Sequence, residues 1–132
     1  MTDTPGSRML TKTLLTVIRE QRHHGTRVII STQEPTIDTR LMDLSSATII
    51  HRFTSPKWFD ELRKHISVKG DESDEELFDR IVNLRVGEAL MYAPSAMVEG
   101  NDGTVGKLGV EVITVGVRQR ITWDGGRSVF AV

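Results

Sequence analysis

Arg27-Val-Ile-Ile-Ser-Thr-Gln-Glu-Pro35 is the stretch whose reading decides the fold. Val28, Ile29 and Ile30 form a short continuous apolar run, preceded by a helical pattern and followed by polar residues, which suits a buried strand of a parallel sheet. Ser31, Thr32 and Gln33 then fall at the carboxyl end of that strand, where open α/β sheets bind their ligands. The same residues also suit a turn closed by Pro35.

Working outward toward the N-terminus, Leu10, Leu14, Val17, Ile18 and Gln21 keep the spacing of one helix face, and Leu15 widens the stripe. Ser7 is the expected N-cap and Gly25 the expected stop. Arg22, His23 and His24 sit in the last turn, where cations suit the helix dipole. Adjacent histidines on a helix point about 100° apart, so this pair does not chelate one ion.

Toward the C-terminus, Ile37 to Leu44 reads as a short helix capped by Asp38, and Ala47 to Phe53 as a second strand that turns basic at His51 and Arg52. Thr54 or Ser55 caps the next helix, with Pro56 at its first position and Trp58, Phe59, Leu62 and Ile66 packing inward. Lys57, Arg63, Lys64 and His65 read as a solvated face, diluted by Asp60 and Glu61. Asp74 to Leu84 reads as an acid-led helix with Leu77, Phe78, Ile81 and Val82 on its buried side. Ala89 to Ala93 reads as a third buried strand. Val98 to Gly109 reads as a flexible loop, and Val110 to Val117 as a strand facing apolar material on both sides, ahead of a turn at Asp124-Gly125-Gly126.

The chain has 132 residues and a formal net charge of -1, with acids and bases interspersed. That length suits one domain with a real core but is small for a complete nucleotide-binding α/β domain. The charge gives no field favouring a nucleic acid or an anionic membrane. There is no cysteine, hence no disulfide framework and no thiolate metal ligand. No apolar run approaches the roughly 20 residues that span a bilayer, and the expectation is a soluble intracellular protein with no membrane partner.

Gly100 to Lys107 resembles a phosphate-binding loop only at a glance. Such loops place four residues between the glycines and a Ser or Thr after the Lys, whose hydroxyl holds magnesium. Here Asn101 to Val105 separate Gly100 from Gly106, and Leu108 follows the Lys. A serine nucleophile elbow, a zinc-binding histidine pair and a paired-carboxylate site are absent as well.

Several segments in order carry a resemblance. They are a helix ending Arg19-Glu-Gln-Arg22-His-His-Gly25, the run Val28-Ile-Ile30, and Ser31-Thr-Gln-Glu-Pro35. Leu41 to Leu44, Ala47-Thr-Ile-Ile50, His51-Arg-Phe-Thr-Ser-Pro56 and Leu84-Arg-Val-Gly-Glu-Ala-Leu90 follow. From about Leu10 to Pro94 the chain resembles the second half of a HerA/FtsK-type P-loop ATPase, and Arg118-x-Arg120-x-Thr-x-Asp-Gly-Gly126 is similar to the tails of uncharacterised fungal members. The family carries a P-loop and a Walker B strand ending Asp-Glu upstream of the matched part. Neither occurs here, so the chain looks like the C-terminal part of such a domain, lacking the principal electrostatic devices of phosphoryl transfer.

The resemblance implies an α/β fold, part of a RecA-like parallel sheet with flanking helices and a C-terminal β tail. The divisions are residues 1–95 as the ATPase half and 96–132 as loop and tail. It implies Gln33 as the polar sensor that contacts the γ-phosphate or the attacking water, and Arg22 as the arginine presented to a neighbouring subunit's nucleotide. Thr32 and Arg52 are the implied nucleotide-contacting residues. It implies no metal ligand in this chain: ATP and Mg²⁺ belong to the complete domain, with neither expected to bind tightly here. The implied partners are further copies or an intact ATPase, with nucleic acid by family analogy alone. The rival expectation is a non-catalytic subunit or remnant that lends an arginine or a surface to an ATPase partner.

Overall fold

Thr4 opens the first helix, α1 (Pro5–Glu20), through a reciprocal capping box. The Thr4 Oγ1 accepts from the Ser7 N–H at 3.2 Å and the Ser7 Oγ accepts from the Thr4 N–H at 3.1 Å. The helix therefore starts before the expected Ser7 cap, with Pro5 in its first turn, where a missing N–H costs nothing. Its far end comes earlier than expected: α1 stops at Glu20 with Gln21 as C-cap, and Arg22, His23 and His24 lie in the turn beyond it. Gly25 closes that turn at φ 59°, with the Thr26 N–H on the Gln21 carbonyl at 3.0 Å. The computed structural model describes residues 4–34, 37–67, 73–100 and 102–118. Pro35 and the expected turn at Asp124–Gly126 lie outside them.

Three further helices follow the sequence signals closely. Helix α2 (Thr39–Asp43) is capped by Asp38, whose carboxylate accepts from the Arg40 N–H. Helix α3 (Pro56–Arg63) has Ser55 as cap and Pro56 at its start, and Ser73 and Glu76 form a capping box on α4 (Asp74–Val82).

The strands are β1 (Thr48–Ile50), β2 (Glu88–Tyr92), β3 (Met97–Glu99), β4 (Val105–Lys107) and β5 (Val112–Gly116). The fold is thus mixed α/β, but every strand pair among the described residues is antiparallel. This corrects the expected parallel sheet. The main sheet has the order β1-β2-β5, with Ile50 opposite Leu90 and Leu90 opposite Thr114. Val28–Ile30 takes no regular secondary structure and joins no ladder among the described residues. Apolar β-branched residues predict a preference for the pleat, not the presence of a neighbour. The expected loop at Val98–Gly109 is instead mostly the β3–β4 hairpin, and its anchor Leu108 is buried with its N–H on the Ala96 carbonyl at 2.8 Å.

Directly paired residues share a sheet face, and faces alternate along a strand. One face of the main sheet therefore carries Ile50, Leu90, Tyr92 and Val112, and packs on Phe59, Leu62 and Ile66 of the α3 region and Leu77, Ile81 and Leu84 of the α4 region. Phe59 meets Phe78 with ring centroids 5.1 Å apart, which locks the two helices together. A smaller cluster, Leu15, Ile18 and Leu41 with Val28 and Ile37 against it, joins α1 to α2. Helix α2 bridges the two, since Leu41 enters the small cluster while Met42 packs on the main one. The other sheet face carries Ile49, Met91, Ile113, Ala89 and Val115, an all-apolar set rather than the polar set of a solvated face.

His65 departs from the solvated face expected of it. Its ring is 10% exposed and its Nδ1 lies 2.6 Å from Asp43 Oδ1. Arg63 also turns inward, bonding Asp74 and donating to the Ile66 carbonyl at 2.7 Å, so it closes the end of α3. No helix among the described residues is long and apolar enough to cross a membrane.

Candidate functional site

The glycine stop after α1 sets where the residues from Thr26 onward begin, and Val28, packed on the Leu15–Ile18–Leu41 cluster, sets their course. The next two side chains lose that support: Ile29 is 92% exposed and Ile30 is exposed too. Thr32 then folds the chain back on itself, its hydroxyl donating to the Glu34 carbonyl at 2.7 Å and accepting from the Glu34 N–H at 3.2 Å. The polar residues after the apolar run thus form a side-chain-closed turn, and Gln33 projects from it into solvent.

Arg22 is exposed in the turn between α1 and Gly25, and Arg52 is exposed just beyond the carboxyl end of β1. No hydrogen bond joins any two of Arg22, Thr32, Gln33 and Arg52, and Arg22, Gln33 and Arg52 have no polar side-chain partner among the described residues. Two other arginines are committed elsewhere. Arg40 forks onto Asp38 at 2.9 and 2.7 Å, and Arg80 donates to the Val112 carbonyl at 2.9 Å. Arg22 and Arg52 are therefore available to an external anion, whereas Arg40 is spent on a helix cap.

A cleft of about 370 Å³ has none of the four in its lining. Ile18 and Gln21 of the α1 end, the run Val28–Ile30, and Leu44 to Ala47 with Ile49 of the β1 approach line it. Its walls are apolar or neutral, which suits burial of chain rather than phosphate. Sequence reasoning missed it. The small residues Ser45-Ser46-Ala47 just before a strand were the one local signal of a space there.

Within the glycine-rich segment, Val105–Lys107 is β4, the second strand of the β3–β4 hairpin, and Asp102 to Thr104 lead into it. Asp102 Oδ1 already accepts the Thr104 hydroxyl at 2.6 Å and the Thr104 N–H at 3.0 Å. Those two bonds, the hydroxyl's first, hold the Asp102 carboxyl below its ordinary pKa, so the loop presents an anion of its own where a phosphate nest needs free donors. Among the described residues no group of three or more His, Cys, Asp or Glu is placed to hold a metal ion. Comparison with protein-family models, with curated proteins and with solved structures returns no match.

Proposed function

We propose that this chain is the C-terminal portion of a HerA/FtsK-type P-loop ATPase, supplying the sensor Gln33 and the arginine Arg22 to a nucleotide held by a P-loop elsewhere. The observation that carries the reading is the ordered set of segments from Arg19 to Leu90, each matching in type and order. The described geometry adds that Arg22, Gln33 and Arg52 stand exposed at the ends of their elements, without competing polar partners. In this reading Val28–Ile30 becomes a parallel strand of a RecA-like sheet in the complete domain, and the antiparallel strands β1, β2 and β5 form its end. The connection from Ser31 to Ala47 contains α2 and is long enough for a parallel crossover.

In such a domain Gln33 orients water or touches the γ-phosphate, and Arg22 neutralises charge that develops as the phosphoryl group transfers. ATP binds through the P-loop nest and Mg²⁺ through the Walker acids. The residues in hand include neither, so tight binding by this chain alone is not expected. In a second reading, which the exposure of Arg22 fits, the chain is a non-catalytic subunit that lends Arg22 to an intact ATPase.

The test is ATP turnover and ATP binding by the purified chain, alone and mixed with the P-loop half of a HerA/FtsK-type ATPase cut before its own matching segment. The expected result is no magnesium-dependent turnover by either part and turnover by the mixture. Turnover by the chain alone, surviving repurification, or a mixture that stays inert, overturns the reading.

A further inference from the structure

The Thr32 hydroxyl carries one proton and two lone pairs. Its proton goes to the Glu34 carbonyl at 2.7 Å, and one lone pair takes the Glu34 N–H at 3.2 Å. An ionised phosphate oxygen only accepts hydrogen bonds, so this hydroxyl has no proton to offer a nucleotide unless the turn opens. What the two bonds do instead is clamp Thr32 to Glu34 across Gln33. Gln33 is exposed, so packing does not fix its direction, and the clamp is the local device that does. A β-branched residue suits that task, because its χ1 is already restricted before the bonds form.

We infer that Thr32 is a positioning residue: its hydroxyl holds the turn so that Gln33 meets the γ-phosphate or the attacking water, and Thr32 itself does not touch the nucleotide. This role rests on the sensor reading of Gln33 proposed above. It moves Thr32 from the nucleotide contact that the resemblance implies to a residue acting through its neighbour. A misplacement of about 1 Å in a group that orients the reacting atoms can cost about 10²-fold in rate. A clamp that acts only through Gln33 therefore governs the step in which Gln33 works and leaves nucleotide affinity alone. A nucleotide contact would do the reverse, since its loss weakens binding first.

The test compares Thr32→Val, which keeps the shape and removes the hydroxyl, with Thr32→Ser, which keeps the hydroxyl. In the purified chain, amide exchange at Glu34 measured by NMR should speed up about fivefold in Thr32→Val, the scale of one hydrogen bond, and stay near wild type in Thr32→Ser. In the mixture with the P-loop half, Thr32→Val should lower turnover about 10- to 100-fold with ATP affinity unchanged, and Thr32→Ser should keep most of the turnover. In a Gln33→Ala background Thr32→Val should cost nothing further. Unchanged Glu34 exchange in Thr32→Val, weakened ATP binding, or an equal further loss in the Gln33→Ala background overturns the inference. Unchanged turnover in Thr32→Val beside a loss in Gln33→Ala overturns it alone, whereas unchanged turnover in Gln33→Ala, or an inert wild-type mixture, overturns the sensor reading and this role with it.

Discussion

His65 Nδ1 lies 2.6 Å from Asp43 Oδ1, tying the turn after α3 to the last residue of α2. A helix as short as α2 has no stability of its own, so its place depends on such contacts and on Leu41 and Met42. Asp43 is 59% exposed, which limits the pair to a modest contribution. Asp43→Asn should cost about 0.5–1 kcal/mol and speed amide exchange at Leu41–Leu44 while leaving Ile81 unchanged. A uniform change over the whole chain would show that the contact does not act locally.

Asp38 secures the other end of that helix and gives it a pH dependence. The fork from the Arg40 side chain, first, and then the Arg40 N–H hold the Asp38 carboxyl below its ordinary pKa. Because the folded value is lower than the unfolded one, the stabilisation is complete above about pH 4 and is lost as pH falls through the folded value. Exchange in α2 should therefore accelerate on acidification more in the wild type than in Asp38→Asn, which keeps a capping oxygen but cannot titrate. Parallel acid profiles would contradict this role for Asp38.

The division of the core predicts a division of stability. Ile81 is fully buried in the main cluster, and Ile81→Ala should cost about 2–5 kcal/mol and unfold the sheet with its helices. Leu15 sits in the small cluster, so Leu15→Ala should loosen α1 and the Val28–Ile30 run first. Exchange measured residue by residue separates the two outcomes, and loss of the β2 amides with those of α1 in Leu15→Ala would refute the division.

Legibility followed the range of each interaction. Helix caps such as Asp38 and Ser55 are local chemistry, and both were readable from their neighbours in sequence. Strand direction is not local. Ala89 to Ala93 reads equally well in a parallel or an antiparallel sheet, and only its partners Thr48–Ile50 and Val112–Gly116 decide. The β3–β4 hairpin was hidden because glycines at 100, 103 and 106 mask two short strands. At the site, the exposure of Gln33 and Arg22 was foreseeable from polarity, whereas the cleft depends on where Ile29 and Ile49 end up in space.

Arg22 should act in trans wherever the complete domain assembles. Removing an arginine that meets charge only in the transition state spares nucleotide binding and lowers turnover by roughly 10³ to 10⁵. Arg22→Ala in the complete protein should keep ATP affinity and assembly, lose hydrolysis, and recover part of it when mixed with a Walker-lysine variant. Equal hydrolysis by Arg22→Ala and wild type would leave Arg22 as a charge beyond the end of α1.

The claim that this chain completes an ATPase site is tested most directly by Gln33→Ala in the mixture with the P-loop half. Turnover is measured beside nucleotide affinity and beside formation of the mixed complex. The account predicts that the complex forms and holds ATP as tightly as wild type, with turnover reduced by about 10² or more, the scale of one lost transition-state contact. Unchanged turnover in Gln33→Ala, with the complex intact, would contradict it.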